Sequence, residues 1–237
     1  MKLLRSALFL LGGAAAFAGP PVVTHDFIAN GAVDFHVYLT PPPDPASIGA
    51  RGEQDLMRDL QLVRTPAQAA WAKHYERLSV FHLLAPVLGD GCNAKDLPKT
   101  AALFEKIRLE GRPTVEAAKA NWNRPRPYMF DSTLQPAVER PVSTSYPSGH
   151  SYDSALYAVL LAHMFPEHEA DWWKQAAFVR WSRVIGGAHY PSDTVAGKIL
   201  GETVGKKMLE SPALLRALDD AKGEIMEQVA AHAPKAA

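Results

Sequence analysis

GHSYDSALYAVLLAHMF, residues 149–165, decides the fold class. Its apolar side chains recur at three- and four-residue spacing, which is typical of one face of an α-helix. They are Tyr152, Ala155, Leu156, Val159, Leu160 and Met164. The apolar part is shorter than the roughly 20 residues that a membrane-crossing helix needs, and it contains His163. We therefore predict a core helix of a water-soluble domain, with His163 as a buried residue whose ring is hydrogen-bonded.

The same periodicity predicts helices through most of the chain after Ala50. We place them at residues 50–63, 67–87, 98–110, 113–122, 149–165, 170–185, 192–209 and 212–231. The apolar faces of two of them are Trp173, Ala177, Trp181 and Val184, and Leu215, Leu218, Ile225 and Val229. Gly197, Gly201 and Gly205 recur every four residues, which predicts close packing against a neighbouring helix. Because no strands alternate with these helices, the predicted fold is all-α, a single-domain helical bundle over residues 47–237.

Two segments precede this domain. Lys2 and Arg5 are followed by an apolar stretch that ends in Ala16-Phe17-Ala18, which is the pattern of a secretory signal peptide. We expect residues 1–18 to be removed by cleavage after Ala18 and the protein to be periplasmic or secreted; an uncleaved anchor is the alternative. Residues 19–46 are rich in proline and contain the strand-like run 35–39, so we expect an extended arm lying over the domain.

Composition excludes several classes of function. The chain has 25 Lys and Arg against 25 Asp and Glu, so its zero formal charge predicts no binding to nucleic acid polymers or anionic membranes. Its single cysteine, Cys92, excludes an internal disulfide and a zinc site built on several thiolates, and we expect it to be buried. The sequence has no HExxH motif and no Asp cluster, so we predict no metal and no cofactor.

Two short segments carry residues suited to an anion. KANWNRPRP, residues 119–127, brings Lys119, Arg124 and Arg126 to a helix end broken by prolines, and arginine forks fit phosphate oxygens. Alone, this segment is better explained as a solvated basic helix end. SYPSGH, residues 145–150, begins a helix at a point where free N–H groups can bind an anion. A serine N-cap with an exposed histidine explains it equally well.

A third segment, SRVIGGAHYPSD, spans residues 182–193. Arg183 and His189 lie on opposite sides of a predicted turn between helices. Asp193 follows His189 by four residues, close enough for its carboxylate to fix the imidazole by a hydrogen bond. The alternative is a tight turn with an incidental surface histidine.

Together and in this order, the three segments resemble the tripartite signature of the type 2 phosphatidic acid phosphatase superfamily. The patterns Lys-x6-Arg-Pro, Pro-Ser-Gly-His and Ser-Arg-x5-His-x3-Asp match at all eleven specified positions. Over most of residues 35–231, including KDLPKTAALFEKI at 95–107, the chain resembles the bacterial class A nonspecific acid phosphatases. It departs from them at Ser151, where relatives have threonine, and in lacking the paired cysteines that some relatives have. The resemblance implies the helical fold of vanadium haloperoxidases and acid phosphatases.

The resemblance also implies residue roles. His189 would be the nucleophile, His150 the general acid and then the base, and Asp193 the residue that holds the His189 tautomer. The groups that would bind the phosphoryl oxygens are Lys119, Arg126, Ser148, the Gly149 N–H and Arg183. Since the two histidines need opposite protonation states, we expect a bell-shaped pH profile, and the resemblance places its optimum on the acid side. Arg124 lies outside the signature, and Tyr190 fits pocket lining and packing equally.

The resulting prediction is an exported acid phosphatase that hydrolyses small phosphate monoesters through a phosphohistidine, without metal. We expect inhibition by vanadate, some phosphate transfer to alcohols, and a homo-oligomer. Three alternatives stay open. A vanadium-dependent haloperoxidase is disfavoured because those relatives are longer, and a lipid phosphate phosphatase is disfavoured by the lack of membrane spans. In a non-catalytic phosphate-binding protein, loss of His189 or Asp193 would be expected.

Overall fold

The computed structural model describes residues 25–232, which form ten α-helices. These are α1 (Phe35–Tyr38), α2 (Ile48–Val63), α3 (Pro66–His74), α4 (Phe81–Leu88), α5 (Pro98–Trp122), α6 (Pro127–Phe130), α7 (Gly149–Met164), α8 (Glu169–Ile185), α9 (Pro191–Met208) and α10 (Pro212–His232). A 3-10 turn over Pro166–His168 joins α7 to α8. The predicted all-α class is confirmed for this part of the chain. The predicted signal peptide and the start of the arm, residues 19–24, lie outside the described residues.

Helix α7 is the centre of the bundle, and α9 packs directly on it. A Cβ atom at Gly197 would collide with the Ser148 carbonyl oxygen, and one at Gly201 would collide with the Tyr152 carbonyl oxygen. The predicted close packing of the glycine face is therefore confirmed. It brings the first turn of α7 beside the first turn of α9, where the Ser148 N–H donates to the Asp193 carbonyl at 2.9 Å.

Some predicted helix bounds were wrong. The segments 98–110 and 113–122 form one helix, α5, which continues through Pro113. The Tyr152 hydroxyl on α7 donates to the Gly111 carbonyl oxygen at 2.9 Å, so tertiary packing supports α5 beside the proline. In contrast, the segment 67–87 is two helices, α3 and α4, because the chain leaves the helical path after His74.

Two predictions about buried faces were also wrong. On α8, Trp172, Ala176, Val179 and Arg183 are buried; of the predicted face, Val184 is buried, whereas Trp181 is 53% exposed. The buried face is therefore centred nearer Trp172 and Ala176 than predicted, and it includes Arg183, which lines the functional site. His163 is exposed in the last turn of α7 instead of lying in the core. Cys92 is a buried free thiol, as predicted.

The arm packs on the bundle through residues 27–40. Its run 35–39 is not a strand: Asp34 accepts the His36 N–H at 3.0 Å and so caps the single helical turn α1. The Phe35 and Trp122 rings meet edge to face, with centroids 5.1 Å apart. Buried Glu110 on α5 accepts the Phe27 N–H at 2.7 Å, which holds the beginning of the arm.

Among the described helices, none is both long enough and apolar enough to cross a membrane.

Candidate active site

The three sequence segments meet at one cavity of about 400 Å³, which we call the cationic cavity. Five helix ends surround it: the last turns of α5 and α8 and the first residues of α6, α7 and α9. Six of the eight predicted site residues line it, namely Lys119, Arg126, Gly149, His150, Arg183 and His189. The other two, Ser148 and Asp193, are fully buried just behind the lining. Segments that are distant in sequence therefore form one site.

Local backbone signals turn the chain into the cavity. Helix α5 ends at Asn123, which adopts φ 44° in the left-handed region, and its N–H caps the Lys119 carbonyl at 2.9 Å. Arg126 follows in extended conformation as the residue before α6. Between α8 and α9, Gly187 adopts φ +79°, a conformation that strains other residues, so Arg183 and His189 approach the cavity from the two sides of this turn.

The His189 imidazole is held at both nitrogens. Its Nε2 lies 3.0 Å from Nη1 of Arg126, and its Nδ1 lies 3.3 Å from Oδ2 of Asp193. Because a guanidinium only donates hydrogen bonds, Nε2 must be the acceptor and Nδ1 must carry the hydrogen. Burial and the nearby cations lower the pKa of His189 well below its usual value, so the ring is neutral. The nitrogen beside Arg126 therefore carries the unshared electron pair that a nucleophile needs.

Asp193 is completely buried but has four donors within reach. Oδ2 accepts the Tyr190 N–H at 2.9 Å and the Ser145 hydroxyl, besides facing His189. Oδ1 accepts Nη1 of Arg124 at 2.6 Å. Burial raises the pKa of Asp193, while Arg124, Ser145 and the Tyr190 N–H act in the opposite direction. A carboxylate surrounded by donors suits the role of orienting the His189 ring.

Three cations of the cavity are buried without an acidic partner in residues 25–232. Lys119 Nζ donates to the Thr144 carbonyl at 2.7 Å, and Arg126 Nε donates to the Ser143 carbonyl at 2.6 Å. Nε and Nη1 of Arg183 are buried without a hydrogen-bond partner. Burial, followed by repulsion from Arg126, lowers the pKa of Lys119 to about 7 and that of Arg183 to about 10. Buried positive groups with unused donors are electrostatically costly unless an anion joins them.

His150 lies in the first turn of α7 and donates from Nε2 to the Glu76 carbonyl at 3.1 Å. Since a carbonyl oxygen only accepts, Nδ1 is the nitrogen left for proton transfer. Burial and the charge of Arg183 lower the pKa of His150 to about 3. Both histidines are therefore neutral while no anion is bound. A Cβ atom at Gly149 would approach the Arg112 guanidinium to 3.2 Å, so a larger residue there would have to displace this side chain slightly.

Sequence reasoning missed the outer part of the cavity. Its charged residues are Glu76, Arg77, Glu105, Arg108, Arg112 and Asp153. Arg108 donates to Glu105 and Arg112 pairs with Glu116, each at 2.8 Å, so these charges are largely matched. Arg108 and Arg112 belong to α5, the helix that carries Lys119, and their four-residue spacing on it was the available signal.

The two residues left open are also placed by the structure. Arg124 does not line the cationic cavity; it lies behind Asp193, with its guanidinium 4.1 Å from the centroid of the Tyr190 ring. Tyr190 is buried and has the packing role. Among the described residues, no group of three or more His, Cys, Asp or Glu side chains could hold a metal ion.

Comparison with known proteins supports the sequence resemblance. Residues 109–212, which include every predicted site residue, match the family model of the PAP2 superfamily. The chain is 28% identical over 205 residues to a non-specific acid phosphatase of Salmonella typhi, which covers 83% of this chain and 82% of the relative.

Solved structures share the fold. A bacterial vanadium-dependent iodoperoxidase aligns with a TM-score of 0.55 and 17% identity over 73% of this chain, and the chain spans 52% of that protein. A transmembrane PAP2-type phosphatidylglycerolphosphate phosphatase from Bacillus subtilis aligns with a TM-score of 0.51 and 22% identity, covering 70% of this chain and 87% of that one. The chain therefore shares the helical fold of PAP2 and vanadium peroxidase proteins.

Proposed function

We propose that this chain, which contains a PAP2 superfamily domain, is an exported acid phosphatase that hydrolyses small phosphate monoesters through a phosphohistidine, without metal. The observation that carries the proposal is the set of buried cations without acidic partners around the unprotonated Nε2 of His189. The similarity to acid phosphatases over most of the chain supports the same reaction.

The phosphoryl group would bind among Lys119, Arg126 and Arg183. Arg183 offers two unused donors, and the start of α7 offers the Gly149 N–H. The Ser148 hydroxyl accepts the Ser151 N–H at 3.4 Å, which leaves its own hydrogen for a phosphoryl oxygen. These groups spread positive charge over the equatorial oxygens, which is the main need of a phosphoryl-transfer transition state.

In the first step, Nε2 of His189 bonds to phosphorus while the bond from phosphorus to the ester oxygen breaks. His150 donates its proton to the departing alcohol oxygen. Asp193 stabilises the positive charge that develops on the His189 ring. In the second step, neutral His150 takes a proton from water, whose oxygen bonds to phosphorus as the phosphorus–nitrogen bond breaks. At this point His189 is neutral again and His150 is protonated; as inorganic phosphate leaves, the pKa of His150 falls and its proton is released to solvent.

The proton on His150 depends on the substrate in this mechanism. Without an anion, burial and Arg183 hold the pKa of His150 at about 3. A phosphate dianion in the cavity offsets the surrounding positive charges and raises this pKa, because an opposite charge nearby favours the protonated imidazole. His150 therefore becomes an acid when the substrate that needs the proton is bound.

The cavity favours a small polar leaving group. Its volume is about 400 Å³, and its outer lining has six charged side chains against the apolar residues Leu78 and Pro141. Burying the chains of a lipid against charged groups is unfavourable, since those groups would lose water without gaining partners. We therefore propose soluble monoesters as substrates.

The reaction is tested by hydrolysis of p-nitrophenyl phosphate between about pH 4 and pH 8, with EDTA and with vanadate. We expect turnover that resists EDTA, is inhibited by vanadate and is lost in His189→Ala. His163→Ala, which changes an exposed histidine on α7, is the matched control and should retain activity. Quenching into alkaline denaturant with a 32P-labelled substrate should trap label on wild type that is stable in base and is lost on treatment with acid.

Activity that survives His189→Ala would overturn the assigned nucleophile, and dependence on a divalent metal would overturn the metal-independent mechanism. Halide oxidation with vanadate and no hydrolysis would instead favour a haloperoxidase.

Export is tested by N-terminal sequencing of the mature protein, which should begin at Gly19. Homo-oligomerisation stays a prediction that light scattering can check.

A further inference from the structure

Arg124 belongs to the first sequence segment, yet it does not line the cationic cavity. It is 9% exposed and lies between two carboxylates, with Nη1 2.6 Å from Oδ1 of Asp193 and Nη2 2.8 Å from Oε2 of Glu53. Its Nη1 also donates to the Ser192 hydroxyl at 2.8 Å. This buried guanidinium therefore connects α2 with the start of α9.

Glu53 fixes the far side of the guanidinium. Its Oε1 accepts the Ser192 N–H at 2.7 Å, and its Oε2 accepts the Ser192 hydroxyl at 2.9 Å. The Tyr190 ring covers one face of Arg124. Held by a carboxylate, a ring and a hydroxyl, Arg124 has little freedom to move away from Asp193.

We propose that Arg124, fixed by Glu53, is a positioning residue that holds Asp193 ionised and oriented toward Nδ1 of the nucleophile His189. The inference rests on the proposed function, because it assigns a purpose to the Asp193–His189 pair in that reaction. Arg124 touches neither the cationic cavity nor the reacting atoms and acts through Asp193 alone.

The physical reason lies in how the two oxygens of Asp193 divide their partners. Oδ2 faces His189, Ser145 and the Tyr190 N–H, whereas Oδ1 is held by Arg124. Without Arg124, the carboxylate can rotate. It also loses the nearest positive charge in a fully buried position, which favours its protonation. A neutral Asp193 would stabilise the charged His189 ring less.

Four variants separate this role from a merely structural one. Arg124→Lys keeps a charge but loses the two-sided fork, Arg124→Met removes the charge, and Glu53→Gln weakens the support behind the guanidinium. The matched control is Arg58→Met. Arg58 lies on α2, the helix that carries Glu53, and its pair with Asp131 at 2.8 Å is a second arginine–aspartate ion pair that the substitution breaks. Steady-state hydrolysis of p-nitrophenyl phosphate and competitive inhibition by inorganic phosphate are measured for each.

We expect kcat to fall about 10²-fold in Arg124→Met and about tenfold in Arg124→Lys and Glu53→Gln. The Ki for inorganic phosphate should change less than about threefold, since Lys119, Arg126 and Arg183 are untouched. In an Asp193→Asn background, Arg124→Lys should change kcat less than about twofold, because residues acting through one another are not additive. Arg58→Met should resemble wild type.

The pH profile gives a second readout. The groups facing Asp193 are Arg124, Ser145, His189 and Tyr190, and Arg124 is the cation in contact with it. Loss of Arg124 raises the pKa of Asp193, so Asp193 stays protonated to a higher pH. The acid limb of kcat should therefore move to higher pH in Arg124→Met.

The inference is overturned if kcat is unchanged in the Arg124 and Glu53 variants, if the phosphate Ki rises in parallel with the loss of kcat, or if the effects of Arg124→Lys and Asp193→Asn are additive. Thermal melting shows whether Arg124→Met is folded; if it is not, Arg124→Lys and Glu53→Gln decide. A wild type that fails to hydrolyse the ester contradicts the proposed function instead, so the two failures are distinguishable.

Discussion

Arg126 and His189 are in direct contact: Nη1 of the guanidinium donates to Nε2 of the imidazole at 3.0 Å. The same Nη1 donates to the Ala188 carbonyl at 3.0 Å, and Nε donates to the Ser143 carbonyl at 2.6 Å. One planar fork thus fixes two loop segments and identifies the unprotonated nitrogen of the ring.

Arg126→Lys should lower kcat for p-nitrophenyl phosphate about 10²–10³-fold, because one ammonium group cannot reproduce the contacts of the fork. Steady-state kinetics measure the effect. Arg140→Lys is the control, since Arg140 is an exposed arginine over the Tyr128 ring. A kcat within about threefold of wild type would contradict the role of Arg126.

Asp193→Asn should reduce kcat about 10⁴-fold while the protein still binds phosphate. The amide can present a hydrogen to Nδ1, which favours the tautomer with the hydrogen on Nε2 and removes the nucleophilic electron pair. Nitrogen-15 NMR of labelled histidine reports the tautomer, and kinetics report kcat. An unchanged His189 tautomer together with full activity would refute the orienting role.

Lys119 should make anion binding depend on pH. Burial and Arg126 lower its pKa to about 7, so in the unliganded protein it loses its proton above this pH. Sulfate, which keeps its charge, should bind progressively more weakly as the pH rises through about 7. Sulfate inhibition measured from about pH 5 to pH 9 checks this, and Lys119→Met should abolish the step near pH 7. A step that persists in Lys119→Met belongs to another group.

The space around two helical glycines predicts opposite effects of replacing them with alanine. Gly201→Ala places a Cβ against the Tyr152 carbonyl oxygen and should lower the free energy of unfolding by about 1–3 kcal/mol. Gly223→Ala on α10, where nothing lies within 4 Å of the added atom, should raise it by about 0.5–1 kcal/mol. Urea denaturation measures both. Equal effects would mean that the close approach at Gly201 relaxes at little cost.

The structure shows which contacts between residues could be predicted from the sequence and which could not. The residues that meet in the cationic cavity were predictable, because their short spacings fix them at helix ends that the signature brings together. The link from Arg124 to Glu53 was not, since it joins positions 71 residues apart and neither spacing nor composition marks Glu53. His163 was misplaced because apolar periodicity gives a helix face but does not say where along the helix the core ends.

The buried cations have a consequence for the regulation of turnover. In the proposed reaction, the groups that hold the phosphoryl moiety of an ester would hold inorganic phosphate by the same oxygens, so the reaction product would compete with the next substrate. We expect the enzyme to slow as phosphate accumulates around it and to recover as phosphate is consumed. Inhibition by the product would then adjust the rate of ester hydrolysis to the rate at which phosphate is consumed. No separate regulatory ligand would be needed.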